Sequence, residues 1–263
     1  MESQVQFRIR GFMRKSAVTS TAEDYLKAVL NLEDMHEKAS TSSVARRLAV
    51  ADGTVTDMLR KLQSAGLLQY TPYYGATLTS RGRAIALKIL RRHRLIELFL
   101  HRIMGYGWEQ VHDEAERMEH AVSDFFVERI DALMNYPSKD PHGEVIPDAR
   151  GFRESEDYVS LAQAEEGRFT IRKVINASPE LLTYLNQESL VPGQTLTVVE
   201  KAPFQGPLKL QIRGKKTTTY VGVEVANCIF VCRVTNGNRR PHGSKRPLMA
   251  LAGKKITPRN KRR

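Results

Sequence analysis

Cysteine is nearly missing from this sequence: its 263 residues include two, Cys228 and Cys232. Two thiols four residues apart supply neither a disulfide framework nor a four-ligand zinc site. They read as small residues on one face of a strand, in a protein of the reducing cytoplasm. Long apolar runs are missing too. None approaches the ~20 residues that cross a bilayer, so no membrane partner is expected. The opening MESQVQFRIRGFMRK is basic but lacks the apolar core of a signal peptide, and reads as a flexible extension. Acid is missing from one end. Residues 233–263 hold eleven of the 41 Lys/Arg and none of the 29 Asp/Glu. The body is therefore balanced, 30 basic against 29 acidic residues, and the net charge of +12 belongs mostly to a tail.

What is present is enough apolar residue, 41%, to bury cores. TAEDYLKAVLNLEDM, 21–35, has Tyr25, Leu26, Val29, Leu30 and Leu32 at helical spacing, with Thr21 as the expected N-cap. STSSVARRLA, 40–49, reads as a short helix, and GTVTDMLRKLQSAG, 53–66, as another that buries Val55, Met58, Leu59 and Leu62. Gly66 is placed to end it in a left-handed conformation. Two short strands follow, Leu67–Thr71 and Ala76–Thr79, turned through Pro72 and Gly75. Two helices, a tight break and a hairpin make a winged helix-turn-helix, whose second helix enters the DNA major groove.

A long helix is expected over 81–104, ended by Gly105-Tyr106-Gly107, and then a helix over 108–134. Residues 135–152 read as a Pro/Gly-rich connection. From Gly167 the period changes. FTIRKVI, TLTVVEKA, LKLQIRG, TTTYVGVEVA and CIFVCRV are strand-like runs, with PELLTYL a short helix among them, which indicates a small barrel. The fold class is thus mainly α with small β parts. The expected order is a flexible extension (1–19), the winged helix-turn-helix (20–84), a helical domain (85–150), a linker (151–166), an SH3-like β-barrel (167–233) and a disordered basic tail (234–263). Such a tail adds salt-sensitive, sequence-independent affinity for DNA.

The stretch HDEAERMEH, 112–120, concentrates two imidazoles and four carboxylates. At about 100° per residue, Glu119, His112, Glu116 and His120 fall within about 100° of helix arc. Ala115, Met118, Ala121 and Val122 set that face against an apolar seam. His93 and Glu97 repeat the pattern one turn apart on the preceding helix. Short-linked helices pack antiparallel, so the two sets converge, and partly buried carboxylates repel unless a cation neutralises them. Imidazole plus carboxylate without thiolate suits Mn, Fe(II), Zn, Ni or Co. HExxH is absent and no Glu-x-x-His pair recurs on two helices, so no catalysis is expected.

TAEDYL at 21–26, HRLIE at 93–97, VHDEAERMEH at 111–120 and HGEVIP at 142–147 stand in the order of the diphtheria toxin repressor family of iron- and manganese-dependent regulators, which this chain resembles over about 20–232. VEKAPFQGPLKLQIRG is similar to the SH3-like domain found alone in ferrous-transport accessory proteins. The resemblance implies a repressor of metal-homeostasis genes that binds its operator as a homodimer when a divalent transition metal is bound. It implies a regulatory site of Asp24, Glu116, Glu119 and His120, and an ancillary site of His93, Glu97 and His112, completed by Glu180. Iron-type members have sulfur at the positions of Asp24 and Glu116. Oxygen at both favours Mn(II), with Fe(II) the other assignment. Manganese-type members carry a second Glu where this chain has Lys27, a cation that cannot ligate a second ion. On the reading helix, Thr54, Thr56, Asp57, Arg60 and Lys61 are the expected DNA contacts, with Arg46 and Arg47 to phosphate and Tyr73 and Tyr74 at the wing tip. The competing reading is a metal-independent winged-helix regulator whose acidic cluster is structural.

Overall fold

The computed structural model describes residues 18–152, 157–175 and 177–234. The expected extension and tail fall almost wholly outside that range. Helix α1 (Ser20–Asp34) is the core of the N-terminal part: Leu26, Val29 and Leu30 have no exposed surface. Its cap is Thr19, whose hydroxyl accepts from Ala22 N, rather than the expected Thr21. Helix α2 (Thr41–Leu48) is capped by Ser40 and followed by Ala49 in the left-handed region. Helix α3 (Asp52–Ser64) buries Val55, Leu59 and Leu62, while Gly66 takes φ +69° and ends it as expected. Strands β1 (Leu68–Thr71) and β2 (Gly75–Leu78) form an antiparallel hairpin, and Ala76 bridges back to Ala39 before α2. This is the winged helix-turn-helix.

Helix α4 (Ser80–Arg102) belongs to two bodies. Ala86 and Leu90 sit in the N-terminal core, whereas Leu95, Ile96, Leu98 and Leu100 sit in a second core with Val111, Ala115, Val127 and Ile130. A boundary drawn at 84/85 therefore cuts a continuous rod, whose midpoint carries His93 and Glu97. The helix expected over 108–134 is two, α5 (Val111–Met118) and α6 (Asp124–Leu133). Ser123 explains the break: its hydroxyl accepts from Phe126 N and caps α6. Arg92 Nη1 donates to the Glu119 carbonyl at 2.8 Å, satisfying a group that α5 leaves free.

The C-terminal part is a six-stranded antiparallel sheet in the order β3-β8-β4-β5-β6-β7, consistent with an SH3-like fold. The strands are β3 (Val159–Ser160), β4 (Gly167–Val174), β5 (Thr195–Lys201), β6 (Leu208–Ile212), β7 (Thr218–Val221) and β8 (Ile229–Arg233), with helices α7 (Pro179–Gln187) and α8 (Val223–Cys228) between them. Burial alternates along them: Phe169 and Ile171, then Leu208, Leu210 and Ile212, then Ile229 and Val231 face inward. Two expectations change here. The segment read as linker contains β3, and Leu161 and Ala164 are core residues of this sheet. The run TTTYVGVEVA is a strand only to Val221. Gly222 opens α8, which buries Ala226 and offers its carbonyl to Ala162 N. Cys228 therefore ends a helix while Cys232 lies on β8, and both thiols are free. Among the described residues no helix is long and apolar enough to cross a membrane.

The sheet is fixed to the helical part at two places. Trp108 packs into the β core. Residues 140–146 lie against β4, where Val174 N donates to the His142 carbonyl. Gly143 adopts φ +84°, and a Cβ there would come within 2.0 Å of the Arg172 carbonyl oxygen. Both the torsion and the approach require glycine. Gly143→Ala is expected to destabilise the chain by about 1–3 kcal/mol. Gly53→Ala, where a Cβ meets open space, should be near neutral; denaturant unfolding of the two variants measures the difference.

Candidate metal centre and nucleic-acid interface

Three segments bring their donors to one seam that runs from buried Glu119, His93 and Glu97 out to exposed His112 and Glu116. Helix α1 projects Asp24 and Lys27, the middle of α4 projects His93 and Glu97, and α5 with the turn after it projects His112, Glu116, Glu119 and His120. Asp24 Oδ1 lies 2.7 Å from His120 Nε2, and His120 Nδ1 lies 3.1 Å from Glu23 Oε2. Glu119 is fully buried. Its Oε1 is 3.4 Å from His120 Nε2 and its Oε2 is 2.7 Å from His93 Nδ1. His93 Nε2 in turn lies 2.9 Å from Glu97 Oε1 and 3.2 Å from His112 Nδ1. Because α5 stops at Met118, Glu119 and His120 reach the seam from a turn, and not from the continuous helix face the spacing suggests.

The electrostatics follow from burial against pairing. Burial pushes His93 down, but the Glu97 charge and hydrogen bonds with Glu119 and Glu97 outweigh it and push the imidazole up to about 9. Burial would raise Glu119, yet His93 and Lys27 hold it below its ordinary value. Glu97 is likewise held well below, by His93 and His112 against its own burial. Asp24 goes the other way: its burial outweighs the hydrogen bond with His120.

Within ligating distance of one another stand Asp24, Glu119 and His120; His93, Glu97 and His112; His93, Glu116 and Glu119; and Glu97, Asp140 and His142. The first two contain most of the residues expected for the regulatory and ancillary sites. Glu116 does not join Asp24. It lies across the Lys27 ammonium, and its group is with His93 and Glu119. Glu180 is not brought in. It is exposed in the first turn of α7, where it pairs with Ser178. Its expected place near Glu97 is taken by two residues that sequence reasoning missed. His142 has Nδ1 3.9 Å from Glu97 Oε2, and its Nε2 donates to the Trp108 carbonyl at 2.9 Å. That bond turns Nδ1 toward the cluster, the orientation seen in metal-binding histidines. Asp140 is buried beside it and pushed well above its ordinary value by burial and by Glu97. In the sequence that loop stands out only through HGEVIP, 142–147, as part of the family resemblance. The donors, all oxygen and imidazole, fit a borderline-to-hard divalent cation. The seam opens into a cavity of about 870 Å³, bounded by α1, α4, α5 and the start of α7.

The reading helix α3 presents Thr54, Asp57, Arg60 and Lys61 to solvent, with Thr56 half-buried and its hydroxyl bonded to the Asp52 carbonyl. Arg46 is exposed on α2. Arg47 points elsewhere, reaching Met35 Sδ and lining the cavity, so it does not extend the α3 surface. Tyr73, 94% exposed at φ +67°, and Tyr74 form the wing tip. Lys38 holds them, donating to the Tyr73 carbonyl at 2.6 Å with its ammonium over the Tyr74 ring.

Residues 17–76 match the iron dependent repressor N-terminal DNA binding domain, 79–148 the iron dependent repressor metal binding and dimerisation domain, and 159–233 the FeoA domain. Over 142 residues the chain is 35% identical to the HTH-type transcriptional regulator MntR of Oceanobacillus iheyensis, covering 54% of this chain and 95% of that protein. The chain belongs to the iron-dependent repressor family. It is a metal-dependent, DNA-binding repressor with a dimerisation domain, and its winged helix, helical and SH3-like parts are those of the family. The repressor is also 29% identical over 231 residues to the iron-dependent repressor IdeR of Mycobacterium leprae, 82% of this chain and 99% of that one. A solved structure described as a manganese-dependent transcriptional repressor complex with manganese aligns with a TM-score of 0.76 at 36% identity, covering 81% of this chain and all of that one. These relatives are repressors, not enzymes.

His93 gives the metal-free repressor a pH signature. An imidazole near 6.5 when unfolded and near 9 when folded stabilises the fold fully below about 6.5, and the stabilisation is lost as pH rises through about 9. The melting temperature of the metal-free chain should fall between pH 6.5 and 9. A flat calorimetric profile across that window contradicts the buried pairing.

Proposed function

We propose that the repressor is activated by Mn(II), in the cytoplasm, and represses metal-ion homeostasis genes as a homodimer on a double-stranded operator. The observation that carries this reading is the position of Asp24. It lies on the DNA-reading head, 2.7 Å from His120 of the helical body. The regulatory ligands are Asp24, Glu119, His120 and Glu116, the last sharing its carboxylate with the Lys27 ammonium. The ancillary ligands are His93, Glu97 and His112, with His142 and Asp140 in the place expected of Glu180. A bound divalent ion supplies the charge that cancels carboxylates drawn from both bodies. Asp24 then stays docked on the turn at Glu119–His120, and α1 carries α2 and α3 with it. In a dimer this fixes the separation of two reading helices, which must match about one helical turn of DNA or a multiple. The activated form is a shift of population toward that spacing. Thr54, Thr56, Asp57, Arg60 and Lys61 meet the groove and its phosphates, Arg46 a flanking phosphate, and the Tyr73–Tyr74 tip the backbone. Exposed apolar residues on and beside α6, among them Phe125, Leu133 and Tyr136, support pairing through the helical part.

Mn(II) is favoured over Fe(II) because no sulfur stands among the clustered donors; both cysteines lie in the β part. Operator binding measured across a series of free metal concentrations tests the assignment. Activation by Mn(II) is expected, and activation by Fe(II) without Mn(II) would reverse it. One observation favours the metal-independent reading: Lys27 and a charged His93 already neutralise part of the cluster. Equilibrium dialysis against Mn(II) separates the two, since a purely structural cluster retains no ion. Asp24→Ala should abolish metal-stimulated operator binding while leaving the dimer intact in sedimentation; monomers would contradict the division of labour between head and body.

A further inference from the structure

Lys27 has no place among metal ligands, yet it is buried at the centre. It is 7% exposed, and its ammonium lies 2.6 Å from Glu119 Oε1 and 2.8 Å from Glu116 Oε1. It follows Asp24 by three residues, so both leave the same side of α1 toward the body. A lysine is rarely buried unless it is paired, and here the pairing crosses from the reading head to α5 and the turn after it.

The local charge decides what such a residue does. Asp24, Glu116 and Glu119 together carry three negative charges, and Lys27 returns one. A single divalent ion then neutralises the group, while a second would leave buried positive charge without a partner. Glu23 faces the far nitrogen of His120 and offers no oxygen within the ligating groups. We infer that Lys27 is a tethered counter-ion: it stands between Glu116 and Glu119 in place of a second metal ion, limits this centre to one ion, and ties α1 to the body before any ion arrives. The inference rests on the metal-activated reading above and deepens it. Metal loading then completes a docking that Lys27 has begun, in a head that is not free beforehand.

The test uses the full chain, stripped of metal and then saturated with Mn(II). Electron paramagnetic resonance of the native chain should lack the exchange-coupled signal of a carboxylate-bridged pair. Lys27→Glu should retain one more Mn(II) per chain by mass spectrometry and acquire that signal. In the metal-free state, Lys27→Met should speed amide hydrogen exchange in α1 by tenfold or more, and Mn(II) should restore protection. A coupled pair in the native chain, an unchanged ion count in Lys27→Glu, or unchanged exchange in Lys27→Met overturns the inference. A native chain that binds no Mn(II) sinks the metal-activated reading instead, and the exchange measurement still judges the tether alone.

Discussion

Glu119 is a carboxylate with no exposed surface, and the arrangement of the molecule around it is the consequence. Removing such a group from water costs several kcal/mol unless charges and hydrogen bonds replace the solvent. Those replacements come from three separate segments: Lys27 from α1, His93 from α4, and His120 from the adjoining turn. Helix α5 must end where it does for Glu119 to face inward, and Arg92 must take the carbonyl that this ending exposes. A fully buried carboxylate shared among cationic groups from different bodies sets how tightly those bodies hold together.

The shared helix α4 turns this local chemistry into an arrangement of parts. Its first half is core of the reading head and its second half is core of the body. Flexure between the two is therefore resisted at the helix, and the polar contacts of α1 with the turn at Glu119–His120 lie beside that shared rod. The β part closes the far side. Trp108 is packed into the β core while its carbonyl holds His142 against Glu97. A continuous set of contacts thus runs from the head, through the polar seam, to the sheet.

Much of this was legible in the sequence because it is periodic. The helices at 20–34, 41–48 and 52–64, the hairpin and most of the alternating strands announce themselves through spacing, although the cap of the first helix is Thr19 and not Thr21, and the density of His and Glu in HDEAERMEH marks the centre. What was not legible was decided by local competition or by distant contact. Ser123 sits inside a run that keeps helical spacing on both sides, so its capping role, and with it the turn at Glu119–His120, is invisible to periodicity. Gly222 likewise ends a strand whose alternation carries on through Ala226. His142 and Asp140 reach Glu97 only because Gly143 lets their loop press against β4, a contact between residues far apart in the chain. Glu180 was placed by resemblance alone, and in the first turn of α7 it faces solvent.

The two candidate clusters are not independent. His93 stands between them, with Nδ1 on Glu119 and Nε2 on Glu97 and His112. Any group bonded to one ring nitrogen fixes what the other can offer: a ligated Nε2 leaves Nδ1 to carry the proton, which then belongs to Glu119. The two clusters are therefore coupled electrostatically through one imidazole. Substitutions at Glu97 and Glu119 share His93 as a partner, so their effects on stability and ion affinity do not add. Lys27 bears on the same balance from the opposite edge, because it draws on the other oxygen of Glu119. One buried carboxylate thus joins head and body through its two oxygens, with a lysine of the head on one and a histidine of the shared helix on the other.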